Sequence, residues 1–154
     1  MEIHMKIYMD NCCFNRLLDN RRVFQIYYEC NSVEIILEFV EEKHIKLYGS
    51  DILKYEISET PSDYKRERLE LMYSLCSSEI KITREIIKRA AEIQEKSNIK
   101  HKDSLHLACA ESVDVDVFLT VDKKFANNAK RLPSSVRIAN PTEFLMEVFY
   151  GKDS

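Results

Sequence analysis

Two aspartates of the 154-residue chain stand where the pattern of side chains predicts a strand to end. Asp10 directly follows the apolar run Ile7-Tyr8-Met9, and Asp122 lies just beyond Val117-Phe118-Leu119. Functional groups of parallel sheets gather beyond the carboxyl ends of the strands, so both positions suit a carboxylate that does chemistry. Asp103 precedes an apolar helical stretch and Glu56 lies within a shorter one. Each acid also has a simpler explanation. Asp103 and Asp122 sit at expected helix starts, where a carboxylate accepting backbone N–H groups stabilises a helix by about 0.5–2 kcal/mol. Asp10 suits a turn, and Glu56 suits a solvent-facing helical position. Gathered together they would mean something else, because neighbouring carboxylates repel and partly protonate unless a cation compensates them. Hard oxygen donors of this kind select Mg²⁺ or Mn²⁺.

The elements that must position these acids alternate along the chain. Ile7–Met9 reads as a buried strand, and apolar residues at Val23, Ile26, Tyr27, Cys30, Val33, Ile36, Leu37 and Val40 mark an amphipathic helix over about 23–42. Ile45–Tyr48 alternates as a second strand, and Ser50 or Asp51 caps a helix running to about Ser58. Further helices are expected over 63–75, over 84–96 behind Thr83, and from Asp103 or Ser104 onward. Ile80–Ile82, the strand ending at Leu119, and Val136–Ile138 complete the strands, with helices opening at Asp122 and Pro141. This order predicts an α/β fold, a three-layer α/β/α sandwich around a mainly parallel sheet of four to five strands, over a single domain spanning 1–154.

Composition narrows the functions. Apolar residues make up 45% and charged residues 32%, as in an ordinary soluble protein. Only 2 glycines argue against a phosphate loop or dinucleotide fingerprint. The net charge of −3 carries no global basic footprint, although local patches can still hold phosphates. The 5 cysteines include a vicinal pair, Cys12-Cys13, and no C-x-x-C spacing, so neither a zinc site nor a disulfide framework is expected. With no signal peptide or membrane span in the pattern, a reducing, cytoplasmic setting is the expectation.

Taken in chain order, the acids resemble the motifs of PIN-domain proteins. Lys6 to Arg16 resembles the opening motif, an apolar strand ending in aspartate, and Ser50 to Glu56 resembles the helix that carries the second acid. Lys102-Asp103-Ser104-Leu105-His106-Leu107-Ala108 is similar to the third motif, and Asp116 to Phe125, with Thr120-Val121-Asp122, to the fourth. Asn140 to Leu145 resembles the tail of the family. One departure is visible, since Asn11 and Cys12 follow Asp10 where the family commonly has a hydroxyl residue and then Ser or Asn.

The resemblance implies a Mg²⁺- or Mn²⁺-dependent endoribonuclease, of the type found as the toxin of toxin–antitoxin pairs. It implies Asp10, Asp103 and Asp122 as metal ligands, Glu56 as ligand or water-orienting base, and support from Thr120 and Asn11. RNA as substrate, an antitoxin protein and a homodimer are the implied partners, with no membrane. The competing reading is a noncatalytic module of the same fold that binds RNA or protein. An aspartate-nucleophile phosphatase is disfavoured, since Cys12 stands where its second acid belongs.

Side chains near these motifs have ordinary roles to weigh as well. His106 reads as exposed or as a satisfied core histidine, and Cys12 and Cys13 as small buried packing. Tyr27, Tyr28 and Tyr73 read as core residues at helical spacing. Arg16, Arg21, Arg22, Lys123 and Lys124 could equally hold phosphates or face solvent.

Overall fold

The structure, a computed structural model, describes residues 5–151. Among them five strands form one sheet: β1 (Met5–Met9), β2 (Ile45–Ser50), β3 (Ser78–Ile80), β4 (Val117–Leu119) and β5 (Arg137–Ala139). All neighbours pair in parallel, in the order β3-β2-β1-β4-β5. The chain therefore builds outward from β1 to β3, then crosses to the other side for β4 and β5. The reversal places β1 beside β4, and beyond the carboxyl ends of those two strands lies the crevice that such topologies use for function.

Among the described residues, eight helices cover the sheet: α1 (Asn11–Arg16), α2 (Phe24–Glu41), α3 (Asp51–Ser58), α4 (Asp63–Tyr73), α5 (Arg84–Glu95), α6 (His101–Ser112), α7 (Lys123–Lys130) and α8 (Pro141–Tyr150). Strand side chains alternate between two cores. Ile7, Met9, Leu47, Val117 and Leu119 pack with α1, α2 and α8, while Tyr8, Phe118 and Ile138 pack with α5, α6 and α7. The expected three-layer sandwich is thus the observed one. Both faces of Ile7–Met9 in β1 and of β4 are covered, which explains those unbroken apolar runs.

Several boundaries differ from the sequence pattern. A short helix, α1, follows Asp10 directly, where only a turn was expected. Asp10 is its cap, accepting from the Cys13 amide. β3 pairs through Ser78, Glu79 and Ile80 rather than through residues 80–82. Beyond Ile80 the chain turns away, and the Ile82 amide donates to the Asp51 carboxylate at 2.9 Å. The helix expected to open at Asp103 or Ser104 begins at His101, and its cap residue, Lys100, makes no side-chain capping bond.

The first turn of α2 overturns another expectation. Val23, Tyr27 and Tyr28 are exposed, together with Phe24, while Cys30, Val33, Ile36, Leu37 and Val40 form the buried face. An α-helix of 18 residues is about 27 Å long, against roughly 17 Å for a strand of 5, so α2 outruns the sheet and its apolar start has nothing beneath it. Tyr73, by contrast, packs against the core as expected. Its ring lies over Gly49, where a β-carbon would come within 2.5 Å of the phenolic oxygen. Only glycine permits that approach.

Candidate active site

Asp10, Glu56, Asp103 and Asp122 line a single cleft of about 370 Å³, together with Asn11, Cys12, Asn15 and His106. Each acid arrives on a different element. Asp10 continues β1, its amide donating to the Leu119 carbonyl at 3.3 Å. Asp122 caps α7 through the Phe125 amide at 3.0 Å, and its own amide donates to Thr120 Oγ1 at 3.1 Å. Thr120 is buried at the end of β4. Capping and cleft lining therefore coexist at Asp10 and Asp122. Asp103 caps nothing: it sits in the first turn of α6, where the helix dipole favours a negative charge.

Glu56 is held by a chain of buried groups that the sequence did not reveal. His106 Nε2 hydrogen-bonds Glu56 Oε1, and His106 Nδ1 lies 2.5 Å from the Tyr8 hydroxyl. That hydroxyl is also 2.7 Å from Ser50 Oγ, the cap of α3, which accepts from the Leu53 amide. The chain closes when His106 Nε2–H donates to Glu56 and the Tyr8 hydroxyl donates to Nδ1. Burial pushes the Tyr8 hydroxyl well above the ordinary tyrosine range, so it stays a donor. His106 is thus a satisfied buried histidine, and it also fixes the second acid. Its position three residues after Asp103, on the same helix face, was the available signal.

Burial dominates the electrostatics of Asp10 and Asp103. Burial first, then the charges of Asp122 and Glu56, raises Asp103 above its ordinary value. Asp10 is raised by burial and next by Cys12, whose thiol donates to Oδ1 at 2.8 Å. Contact with Cys13 foremost, then with Asp10 and Thr120, pulls the Cys12 thiol down to about 6 despite burial. These opposite shifts describe one proton shared by an acidic pair. Cys12 accordingly lines the cleft instead of serving as packing, whereas Cys13 is fully buried as expected.

Among the described residues, no lysine or arginine lies within ion-pair distance of Asp10, Asp103 or Asp122, although many other acids of the chain are so paired. A divalent cation fits such a set of oxygen donors. The tightest trio of ligating atoms among those residues is Asp10, Cys12 and Cys13, within 4.8 Å of one another. Cys13 is a poor ligand, since burial raises its thiol and it donates to the Leu119 carbonyl. No three of the four acids converge as closely, which suits an ion such as Mg²⁺ that keeps several waters between itself and the protein.

The remaining predicted residues divide. Asn11 lines the cleft and is held by Asn15, whose amide donates to Asn11 Oδ1 at 3.0 Å. Arg16 and Arg21 do not face it as free cations: Arg16 pairs with Asp19 and Glu29, and Arg21 with Glu34. Arg16 Nε and Glu29 Oε1 stand 3.0 Å apart, close enough to pair as charges though too poorly aligned to hydrogen-bond. Lys123 and Lys124 flank Asp122 in the two cavities beside the cleft.

The fold and the cleft together define a parallel α/β protein with an acidic centre at its topological switch point. A PIN-domain family model matches residues 17–131, and the chain belongs to that family. The matched segment contains Glu56, Asp103 and Asp122 and begins after Asp10. Among solved structures, the chain is similar to one in the crystal structure of VapBC2 from Rickettsia felis bound to a DNA fragment from their promoter. That likeness has a TM-score of 0.57 at 18% identity and covers 88% of this chain and 98% of the other. Among curated protein sequences, none matches.

Proposed function

We propose that this protein is a metal-dependent endoribonuclease that hydrolyses RNA phosphodiester bonds with Mg²⁺ or Mn²⁺. The carrying observation is the convergence of four acids from different elements on one cleft, with no lysine or arginine among the described residues within ion-pair distance of Asp10, Asp103 or Asp122. Asp10, Asp103 and Asp122 would hold the ion, with Glu56 completing the set. When bound, the ion supplies Lewis acidity at the scissile phosphate and makes a water easier to deprotonate. Glu56, aimed by His106, accepts the proton of the attacking water. Thr120 orients the loop that carries Asp122, and Asn11 offers an amide to water or phosphate.

The toxin role, with an antitoxin protein as partner and a homodimer as the working form, follows from the resemblance, and the VapBC2 neighbour supports it. Five free cysteines suit a reducing cytoplasm. The test is cleavage of mixed single-stranded and structured RNAs by purified protein in Mg²⁺, Mn²⁺ or EDTA, beside Asp10→Asn and Asp103→Asn. Metal-dependent cleavage lost in both variants supports the reading. Cleavage that persists in both places the activity elsewhere, and RNA binding without cleavage in any metal favours the noncatalytic module.

A further inference from the structure

The acidic cleft holds one donor of a different kind. Cys12, the second residue of α1, lines it beside the four acids, with Sγ 2.8 Å from Asp10 Oδ1 and 3.4 Å from Thr120 Oγ1. Asp10 caps the same helix and is only 6% exposed, so a single turn of chain presents sulfur and carboxylate together. Among the described residues, this is where three ligating atoms of cysteine, histidine or acid side chains come within 4.8 Å of one another. The third atom, Cys13 Sγ, is turned away to the Leu119 carbonyl at 3.3 Å, which leaves Cys12 as the sulfur open to the cleft. None of the remaining cysteines lines it: Cys30 donates to the Arg16 carbonyl, and Cys76 and Cys109 pack in the two cores.

We propose that Cys12 and Asp10 make the cleft a site for a thiophilic divalent cation such as Zn²⁺, in competition with the hard ion that cleavage uses. The inference rests on the metal-dependent nuclease reading and adds to it a second class of ion. Hard ions take oxygen donors and leave a thiol alone, whereas a thiolate selects Zn²⁺, Co²⁺ and Cd²⁺. On binding, the S–H bond of Cys12 is exchanged for a sulfur–metal bond, and its proton passes to solvent. A tetrahedral ion with bonds of about 2.1 Å to oxygen and about 2.3 Å to sulfur opens the 2.8 Å separation by about 0.8 Å, within reach of side-chain rotation. The hydrogen bond that now joins the pair is the one the ion replaces. Asp103 and Asp122 line the same cleft and close the shell directly or through water. Because Asp10 serves both ions, bound Zn²⁺ excludes Mg²⁺.

The test is titration of the reduced, untagged chain with Co²⁺ in the absence of Mg²⁺, read by the thiolate-to-cobalt charge-transfer band in the near ultraviolet. Wild type should develop the band and saturate at one ion per chain. Cys12→Ser should lose it, Asp10→Asn should need more cobalt to reach it, and Cys76→Ser should match wild type. A second measurement needs no variant: Cd²⁺ should protect Cys12 of wild type from iodoacetamide, mapped by peptide mass spectrometry. A wild type without the band, a band that survives Cys12→Ser, or alkylation of Cys12 unaffected by Cd²⁺ would each overturn the site. If that wild type still cleaves RNA in Mg²⁺, the nuclease reading stands without it. The expected band and protection in a chain that cleaves no RNA in any metal would keep the site and remove the nuclease.

Discussion

The hydroxyl of Tyr8 links two layers of the site, since it bonds both the cap of α3 and the histidine that holds Glu56. Phenylalanine fits the same space and removes only that oxygen. Tyr8→Phe would leave His106 Nδ1 buried without a partner, at a cost of about 1–3 kcal/mol measured by urea denaturation. Loosening a group that supports the acids should lower kcat about 10–100-fold with KM little changed. A variant with full activity would show that His106 needs no help in placing Glu56. Asp103 makes the complementary case: it caps no helix, yet it holds a carboxylate that burial and neighbouring acids make costly to ionise. Removing that charge in Asp103→Asn should abolish cleavage while leaving the protein at least as stable at neutral pH, read by thermal unfolding beside the activity assay. A large loss of stability would assign Asp103 to the scaffold instead.

Elements place these residues through contacts that sequence shows unevenly. Gly49, the penultimate residue of β2, lies against the Tyr73 ring, and Tyr73 Oη in turn donates to the Glu79 carboxylate at 2.6 Å. Gly49→Ala would force the ring aside and destabilise the protein by roughly 1–3 kcal/mol, with part of the loss recovered by adding Tyr73→Leu. An unchanged denaturation midpoint in the single variant would refute the close approach. Neither Gly49 nor Tyr73 was readable as a pair, because they meet only when α4 folds back on β2. Strand ends were legible: Asp10 and Asp122 follow apolar runs, and the sheet does stop beside them. The six residues of α1 were not, since so short a segment shows little periodicity. The start of α6 was missed because Asp103 looked like its cap, and the overhanging turn of α2 was read as core because periodicity reports a face but not its partner. Glu56 and Asp103 entered the site only through the family resemblance.

Across the whole molecule, topology creates a charge problem that sets the pH and metal dependence of stability. Strand order, which no local pattern encodes, puts β1 beside β4 and so gathers acids that are distant in the chain. Asp103 is raised above its ordinary 3.8, so between that value and its higher folded value the native state holds a proton that the unfolded chain has released. Stability from this group is complete below pH 3.8 and is lost as pH rises through the folded value. Asp10 shifts the same way, but its proton is shared with Cys12, whose lowered thiol acts in the opposite sense, so Asp103 gives the cleaner measurement. In EDTA, the stability of wild type relative to Asp103→Asn should fall as pH climbs from 3.8 toward neutral. Mg²⁺ or Mn²⁺ should then restore stability to wild type at neutral pH by binding the folded state, and do so much less for the variant. Denaturation midpoints across pH, with and without metal, check both statements. Equal pH profiles for the two proteins, or equal gains from metal, would mean that the acids at the switch point are not a cation site.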